Sequence, residues 1–309
     1  MTGGGSARPR YGSIGFGRVV CCLPVWVVLA GALICTSPAL AIMAGALPDT
    51  PEAHVDPNAR TSPWAGVGSV IVKGSPYSGV VIGPRHVLTA AHVAGDPQHT
   101  KFQLNLGGET PQGMAVARVV RHPGFKGFDP QHPRDDLAVL VLAEEVPAGV
   151  PIYPLHHGDI DPGTVLAFVG YGASGNGDTG VTVGARADVK RVGRNTADAF
   201  SIDAFGIKRV FVFDFDGPGV PNQLGGDGLG NAVESTLAGG DSGSPSFLCE
   251  GGSGYECAGG RWVVAGINTF VTAPAEHGGK PGTFGTLGGG MVVSAYVDWI
   301  ESVLRGEQN

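Results

Sequence analysis

The sequence predicts an all-β chain whose short antiparallel strands close into barrels. Three observations carry that expectation. Apolar runs are short and are separated by Gly, Pro, Asn and Asp. The 53 glycines are scattered between those runs and form no repeat. A polar, proline-bearing stretch from Pro147 to Asp161 divides the β-rich sequence into two halves. Short runs with turn formers at close intervals suit barrels, where every strand edge is paired.

The elements follow in order. VGSVIVKG, SGVVIG and HVLTAAHV occupy residues 67–93, followed by FQLNLGG, AVARVVRH and DLAVLVLAEEV, which ends at Val146. In the second half, strands are expected at 164–172, 182–192, 207–215, 244–249, 261–270 and 289–297. Two helical readings stand out. One is a turn around Ala90–Val93. The other is a C-terminal helix over about 294–305, where Val297, Ile300, Val303 and Leu304 fall on one face behind a possible Ser294 cap.

The first 41 residues read as a leader. Residues 1–18 contain Arg8, Arg10 and Arg18 and no acid, residues 19–35 are apolar or small, and Ala39-Leu40-Ala41 supplies small residues before a cut. That order is a secretory signal peptide. A permanent membrane anchor is the alternative, and the apolar run is only just long enough for one. Cleavage after Ala41 leaves residues 42–309 as the mature chain, beginning Ile-Met-Ala-Gly and exported to the extracellular space or a periplasm.

Loss of the leader removes three arginines and no acid, so the formal charge of −7 becomes more negative. An acidic chain without a basic run is not built for nucleic acid or for an anionic membrane surface. Cys21, Cys22 and Cys35 leave with the leader, which keeps only Cys249 and Cys257. A close pair in an exported chain reads as one disulfide. Two free thiols are the alternative; zinc is disfavoured, since no histidine is near in sequence.

Three short motifs carry chemistry: LTAAHV with His92, RDDLAVL with Asp136, and GGDSGSP with Ser242. A hydroxyl is a poor nucleophile until a base takes its proton, and the base needs a third group to fix its tautomer. Asp135 competes with Asp136 for that third role. Lipase-type folds are disfavoured, because their nucleophile elbow reads G-x-S-x-G and precedes the acid and histidine. Here Ser244 breaks that pattern and the histidine comes first.

His, Asp and Ser in that order resemble the trypsin-like serine proteases, of a bacterial type with few disulfides. The likeness extends over roughly Ile42 to Ile300. It rests on VVIGPRHVLTAAHV, on RHPGF at 121–125, on KPGTF at 280–284 and on AYVDWI at 295–300. It implies two six-stranded antiparallel barrels, at about 60–150 and 160–295, with the cleft between them. It implies peptide-bond hydrolysis with no cofactor, protein or peptide substrates, no stable membrane association after export, and a monomer.

The resemblance also distributes roles. The acid stands immediately before an aliphatic-Ala pair, so Leu137-Ala138 selects Asp136. Gly240 and Ser242 are expected to form the oxyanion hole with their backbone N–H groups. A new N-terminal ammonium at Ile42 is expected to pair with Asp241. Thr236, six residues before Ser242, stands at the floor of the primary pocket, and Thr269, Phe270 and Val271 line it. No acid occupies the floor, and Val271 stands where a glycine would leave room, which implies small or medium apolar side chains. Asp214, Asp216, Asn222, Asp227 and Glu234 are hard oxygen donors that could hold Ca²⁺. Pro218 and Gly225 fall where ligands belong, so a turn-rich surface loop is expected instead and no metal site is assigned.

Overall fold

The computed structural model describes residues 42–107, 111–130, 132–272 and 279–308. The leader, residues 1–41, lies outside the described residues. The first half is a closed barrel of β1 (Val67–Val72), β2 (Ser75–Gly83), β3 (His86–Thr89), β4 (Thr100–Leu104), β5 (Gln112–Arg121) and β6 (Ala138–Leu142). Its order is β1-β2-β3-β6-β5-β4, and every pair is antiparallel. Local sequence sets the β1–β2 register. Lys73 and Gly74 both have positive φ, and Val72 pairs with Ser75 across them. This two-residue turn has the twist that a hairpin needs. Inside, Val70, Val81, Val87, Phe102, Leu140 and Leu142 form an apolar core.

The second half is a seven-stranded antiparallel sheet curled on itself. It comprises β7 (Thr164–Gly170), β10 (Arg191–Ala197), β11 (Ala199–Ile202), β12 (Lys208–Asp214), β13 (Pro245–Glu250), β14 (Arg261–Thr272) and β15 (Leu287–Val292). The order is β10-β7-β13-β14-β15-β12-β11. It has one strand more than the six expected, because β10 and β11 are separated only by Asp198 and continue to different neighbours. A separate ribbon joins β8 (Ser174–Asn176) to β9 (Gly180–Val183). The Gly288–Gly290 run in β15 allows close packing: a Cβ on Gly288 would meet the Phe213 ring at 2.4 Å.

Three local expectations need correction. The strand expected at 182–192 breaks into the end of β9 and the start of β10, with residues 184–190 outside both. The last strand ends at Val292, and residues 293–296 form a 3-10 turn. The helix, α1 (Val297–Leu304), begins behind Tyr296 and has no side-chain cap, so Ser294 does not cap it. Packing sets the helix start instead, since Val297, Ile300 and Val303 are buried.

One core cluster runs through the seam between the halves, combining Val80, Leu88 and Val139 with Tyr171, Phe247 and Ile267. The expected linker is a strap over that seam. Tyr153 N–H donates to Val81 O of the first half, and His156 N–H to Val264 O of the second. Residues 42–63 are also ordered as a clasp along the second half. Met43 bridges to Thr236, Ala44 to Asn176 and Val55 to Arg191. Lys190, wholly buried, lies 3.3 Å from Asp56 of this clasp.

Candidate active site

β3 and β6 run side by side, with Thr89 opposite Ala138. That register brings the turn after β3 against the residues just before β6, so His92 meets Asp136. The Asp136 carboxylate is 1% exposed and takes two bonds from one residue. Oδ2 lies 2.6 Å from His92 Nδ1, and Oδ1 accepts the His92 backbone N–H at 2.8 Å. Nδ1 therefore carries its proton toward the carboxylate, and a neutral ring keeps its lone pair on Nε2. Asp135 faces elsewhere. It has φ +52°, and its carboxylate is 3.6 Å from His122 Nδ1. Of the two adjacent acids, only Asp136 contacts His92.

Ser242 stands on the loop between residues 237 and 244. Gly240 and Gly243 take φ of +96° and +84°, a region that side chains strongly disfavour. A Cβ on Gly243 would also meet Thr89 Oγ1 at 2.1 Å. The loop is fastened from both halves. Gly243 N–H donates to Asn268 O, Ser78 N–H to Ser242 O, and the Ser78 hydroxyl to Gly240 O. Among the described residues, the Gly240 and Ser242 N–H groups have no protein acceptor. Asp241 turns inward, 1% exposed, where Ala238 N–H and Gly172 N–H donate to its carboxylate.

His92 and Ser242 line one cleft of about 180 Å³, together with Leu237, Ala238, Thr269, Phe270 and Val271. No hydrogen bond joins their side chains. Thr269, Phe270 and Val271 thus share the cleft with the histidine and serine. Thr236 does not line it: the residue is wholly buried, its carbonyl accepts Met43 N–H, and its hydroxyl has no protein partner.

Ile42 is wholly buried among Phe168, Phe213 and Leu237. Its carbonyl accepts the Ser174 hydroxyl, and the next N–H donates to Thr236 O. Ser174 and Thr236 each lie two residues from a donor to the Asp241 carboxylate. Residue 42 therefore enters between the two segments that grip Asp241. Cys249 and Cys257 are joined as a disulfide.

The acidic loop uses its carboxylates on its own backbone. Asp214 accepts from Gln223 and Leu224 N–H, and Glu234 from Asp216 and Leu229 N–H. Among the described residues, no group of three or more His, Cys, Asp or Glu side chains is set to hold a metal ion. Burial pushes Glu234 up to about 7 and Asp198 up to about 6.

Two contributors escaped the sequence reading. Phe128 packs its ring 4.3 Å from that of His92. Ser78 also accepts Tyr171 N–H on its hydroxyl, tying β2 to the segment after β7. The Ser78-Gly79 pair is visible in the sequence, but nothing local announces its partners. Phe128 has no local signal beyond being an exposed aromatic near RHPGF.

Sequence comparison places the chain among known proteins. The family model described as Trypsin matches residues 55–300. Kallikrein-8 of Rattus norvegicus is 25% identical over 238 residues, which cover 73% of this chain and 76% of the relative. Among the described residues, no helix is long and apolar enough to cross a membrane. With the two-barrel fold, a histidine and a serine in one cleft and the match over most of its length, the chain belongs to the trypsin family and is a serine-type endopeptidase acting on proteins.

Proposed function

We propose that Ser242, His92 and Asp136 form the catalytic triad of an exported endopeptidase. The observation that carries this reading is the double grip of Asp136 on His92, with Ser242 in the same cleft. His92 Nε2 takes the Ser242 Oγ proton as the oxygen attacks the scissile carbonyl carbon. The carbonyl oxygen becomes an oxyanion between the Gly240 and Ser242 N–H groups. Protonated His92 then gives its proton to the leaving amine, and the C–N bond breaks. Water repeats the sequence on the acyl-enzyme, releasing the carboxylate product and restoring Ser242. The missing His92–Ser242 hydrogen bond does not oppose this, because such bonds often tighten only when substrate arrives.

The substrate side chain sits beside Thr269, Phe270 and Val271. The small cleft, walled by Leu237, Ala238, Phe270 and Val271, favours small or medium apolar residues. Signal peptidase cleavage after Ala41 removes the leader from the exported protein and frees the Ile42 ammonium for Asp241. The burial of Ile42 between the segments that hold Asp241 supports that pairing. A fluorophosphonate probe tests the nucleophile: it should label the wild-type protein and not Ser242→Ala. Equal labelling of both would reject Ser242. N-terminal sequencing of exported protein should read Ile-Met-Ala-Gly; any other start removes the Ile42 pairing.

A further inference from the structure

Asp241 is a buried carboxyl group, and a buried carboxyl stays ionised more readily with a cation nearby. Burial pushes its pKa well up, while the N–H groups of Ala238 and Gly172 and the charge of Arg191 pull the other way. A carboxyl with only neutral donors in a dry site tends to keep its proton. An ammonium at residue 42 exists only once the chain has been cut. Arg191 is present at all times.

Strand register places Arg191 beside the carboxylate. In the β7–β10 ladder Arg191 lies directly opposite Gly170. Directly opposed residues project from the same face of a sheet. On that face, a Cβ added to Gly170 would meet Asp241 Oδ1 at 2.1 Å, so the carboxylate fills the space that a side chain there would take. Arg191 emerges next to it and is 4% exposed. Its Nε–H donates to Pro51 O at 3.1 Å, while Nη1 is buried without a hydrogen-bond partner. The two charges are not in direct contact. The guanidinium stands a step back from the carboxylate.

We propose that Arg191 is a resident counter-cation for Asp241, a positioning residue that holds the Ala238–Gly243 loop in its working shape with or without an ammonium at residue 42. This rests on the reading of Ser242 and Gly240 as the reacting loop. The other charges around Arg191 are accounted for. Glu52 of the clasp attracts it, and Arg186, just before β10, repels it. Lys190 is held by Asp56, and His54 lies between Asp49 and Val192 O. Arg191 also bridges to Val55 through its backbone, so the same residue ties the clasp to the loop.

Side-chain chemistry provides a readout that mere packing would not move. A guanidinium stays charged far into the alkaline range, even where burial lowers its pKa as at Arg191, whereas a free lysine ammonium loses its charge near ~10.4 and an α-ammonium near ~8. The test compares wild-type, Arg191→Lys and Arg191→Gln protein in the processed form, measuring kcat and KM for a peptide p-nitroanilide at neutral and alkaline pH. Arg191→Gln should lower kcat at neutral pH by about tenfold or more with KM little changed, as loosening an oxyanion donor does. Arg191→Lys should restore most of kcat at neutral pH and then lose it, relative to wild type, at alkaline pH below ~10.4, because burial lowers an ammonium's pKa.

If Arg191→Lys tracks wild type across the whole range and Arg191→Gln keeps its kcat, the proposal is overturned. Should Arg191→Gln fail to fold, the alkaline limb of Arg191→Lys decides alone. Fluorophosphonate labelling of wild-type Ser242 separates this from the larger reading. Absence of labelling rejects the nucleophile and this proposal with it. Normal labelling with indifferent Arg191 variants rejects only the counter-cation.

Discussion

The two barrels bury different things. Between residues 67 and 142, Asp136 is the only buried acidic or basic side chain among the described residues, and it is already engaged by His92. The second half buries Lys190, Arg191, Asp214, Glu234 and Asp241. The first barrel is also closed, with every strand paired on both sides. The second is an open, curled sheet whose loops are tied by carboxylates to backbone N–H groups. His92 and Asp136 therefore sit on an apolar, closed platform. Ser242 and Gly240 sit on a loop wrapped around the buried carboxylate of Asp241. Charge can be altered by cleavage, pH or a neighbouring cation, whereas close packing responds weakly to all three.

The largest expected effect probes the seam itself. Ser242→Ala should lower kcat on the order of 10⁶-fold while the melting transition stays close to wild type. A variant that stays active would show that the two halves do not share the chemistry as described. Next, Gly240→Ala tests the loop around Asp241. Its φ of +96° and a Cβ 2.7 Å from Gly172 Cα should force the loop to move. Removing one oxyanion donor costs about 10²–10³ in kcat, with smaller changes in KM. If kcat is unchanged, the donors lie elsewhere.

Leu140→Ala tests the platform. Leu140 is wholly buried in the first barrel, and truncation should cost about 2–5 kcal/mol in denaturant unfolding. Turnover per folded molecule should stay the same. A kcat loss larger than the folded fraction explains would mean that this barrel is not a passive support.

The smallest effect is on pH. Glu234 has a folded-state pKa of about 7, raised from 4.5 by burial. Between those values the folded chain holds a proton that the unfolded chain has released. Its contribution to stability is thus present below pH 4.5 and lost as pH rises through 7. The loss should be on the order of 2 kcal/mol, read as the difference in unfolding free energy between wild type and Glu234→Gln across pH. Glutamine has one acceptor oxygen for the N–H groups of Asp216 and Leu229, so the variant starts lower at acid pH. The gap should close as pH rises. A constant gap would place the pH sensitivity of the second half elsewhere.

The strands of the first barrel were readable because short apolar runs bounded by turn formers are local signals. The order of His92, Asp136 and Ser242 was readable for the same reason, since each lies in a short motif of its own. The strand expected at 182–192 failed in an instructive way. TVGARADVKRV carries enough apolar residues to pass for one strand, yet Lys190 and Arg191 are buried by Asp56 and Pro51 of the clasp, more than a hundred residues earlier. Local pattern cannot report such a partner. Choosing Asp136 over Asp135 required the neighbouring Leu-Ala pair, and the structure shows the two carboxylates facing different histidines.

Residue type and short-range pattern settled where strands begin, which hydroxyl, imidazole and carboxylate were available, and which cysteines could pair. Folding settled what stands opposite each of them. Ser78 became a tie between halves, Phe128 a neighbour of His92, Thr236 a buried residue outside the cleft wall, and Arg191 a buried residue opposite Gly170. Backbone conformation is governed by near neighbours, so it is written along the chain. Desolvation and charge compensation are governed by whatever the fold brings within a few ångströms, and that becomes known only once the sheets have closed.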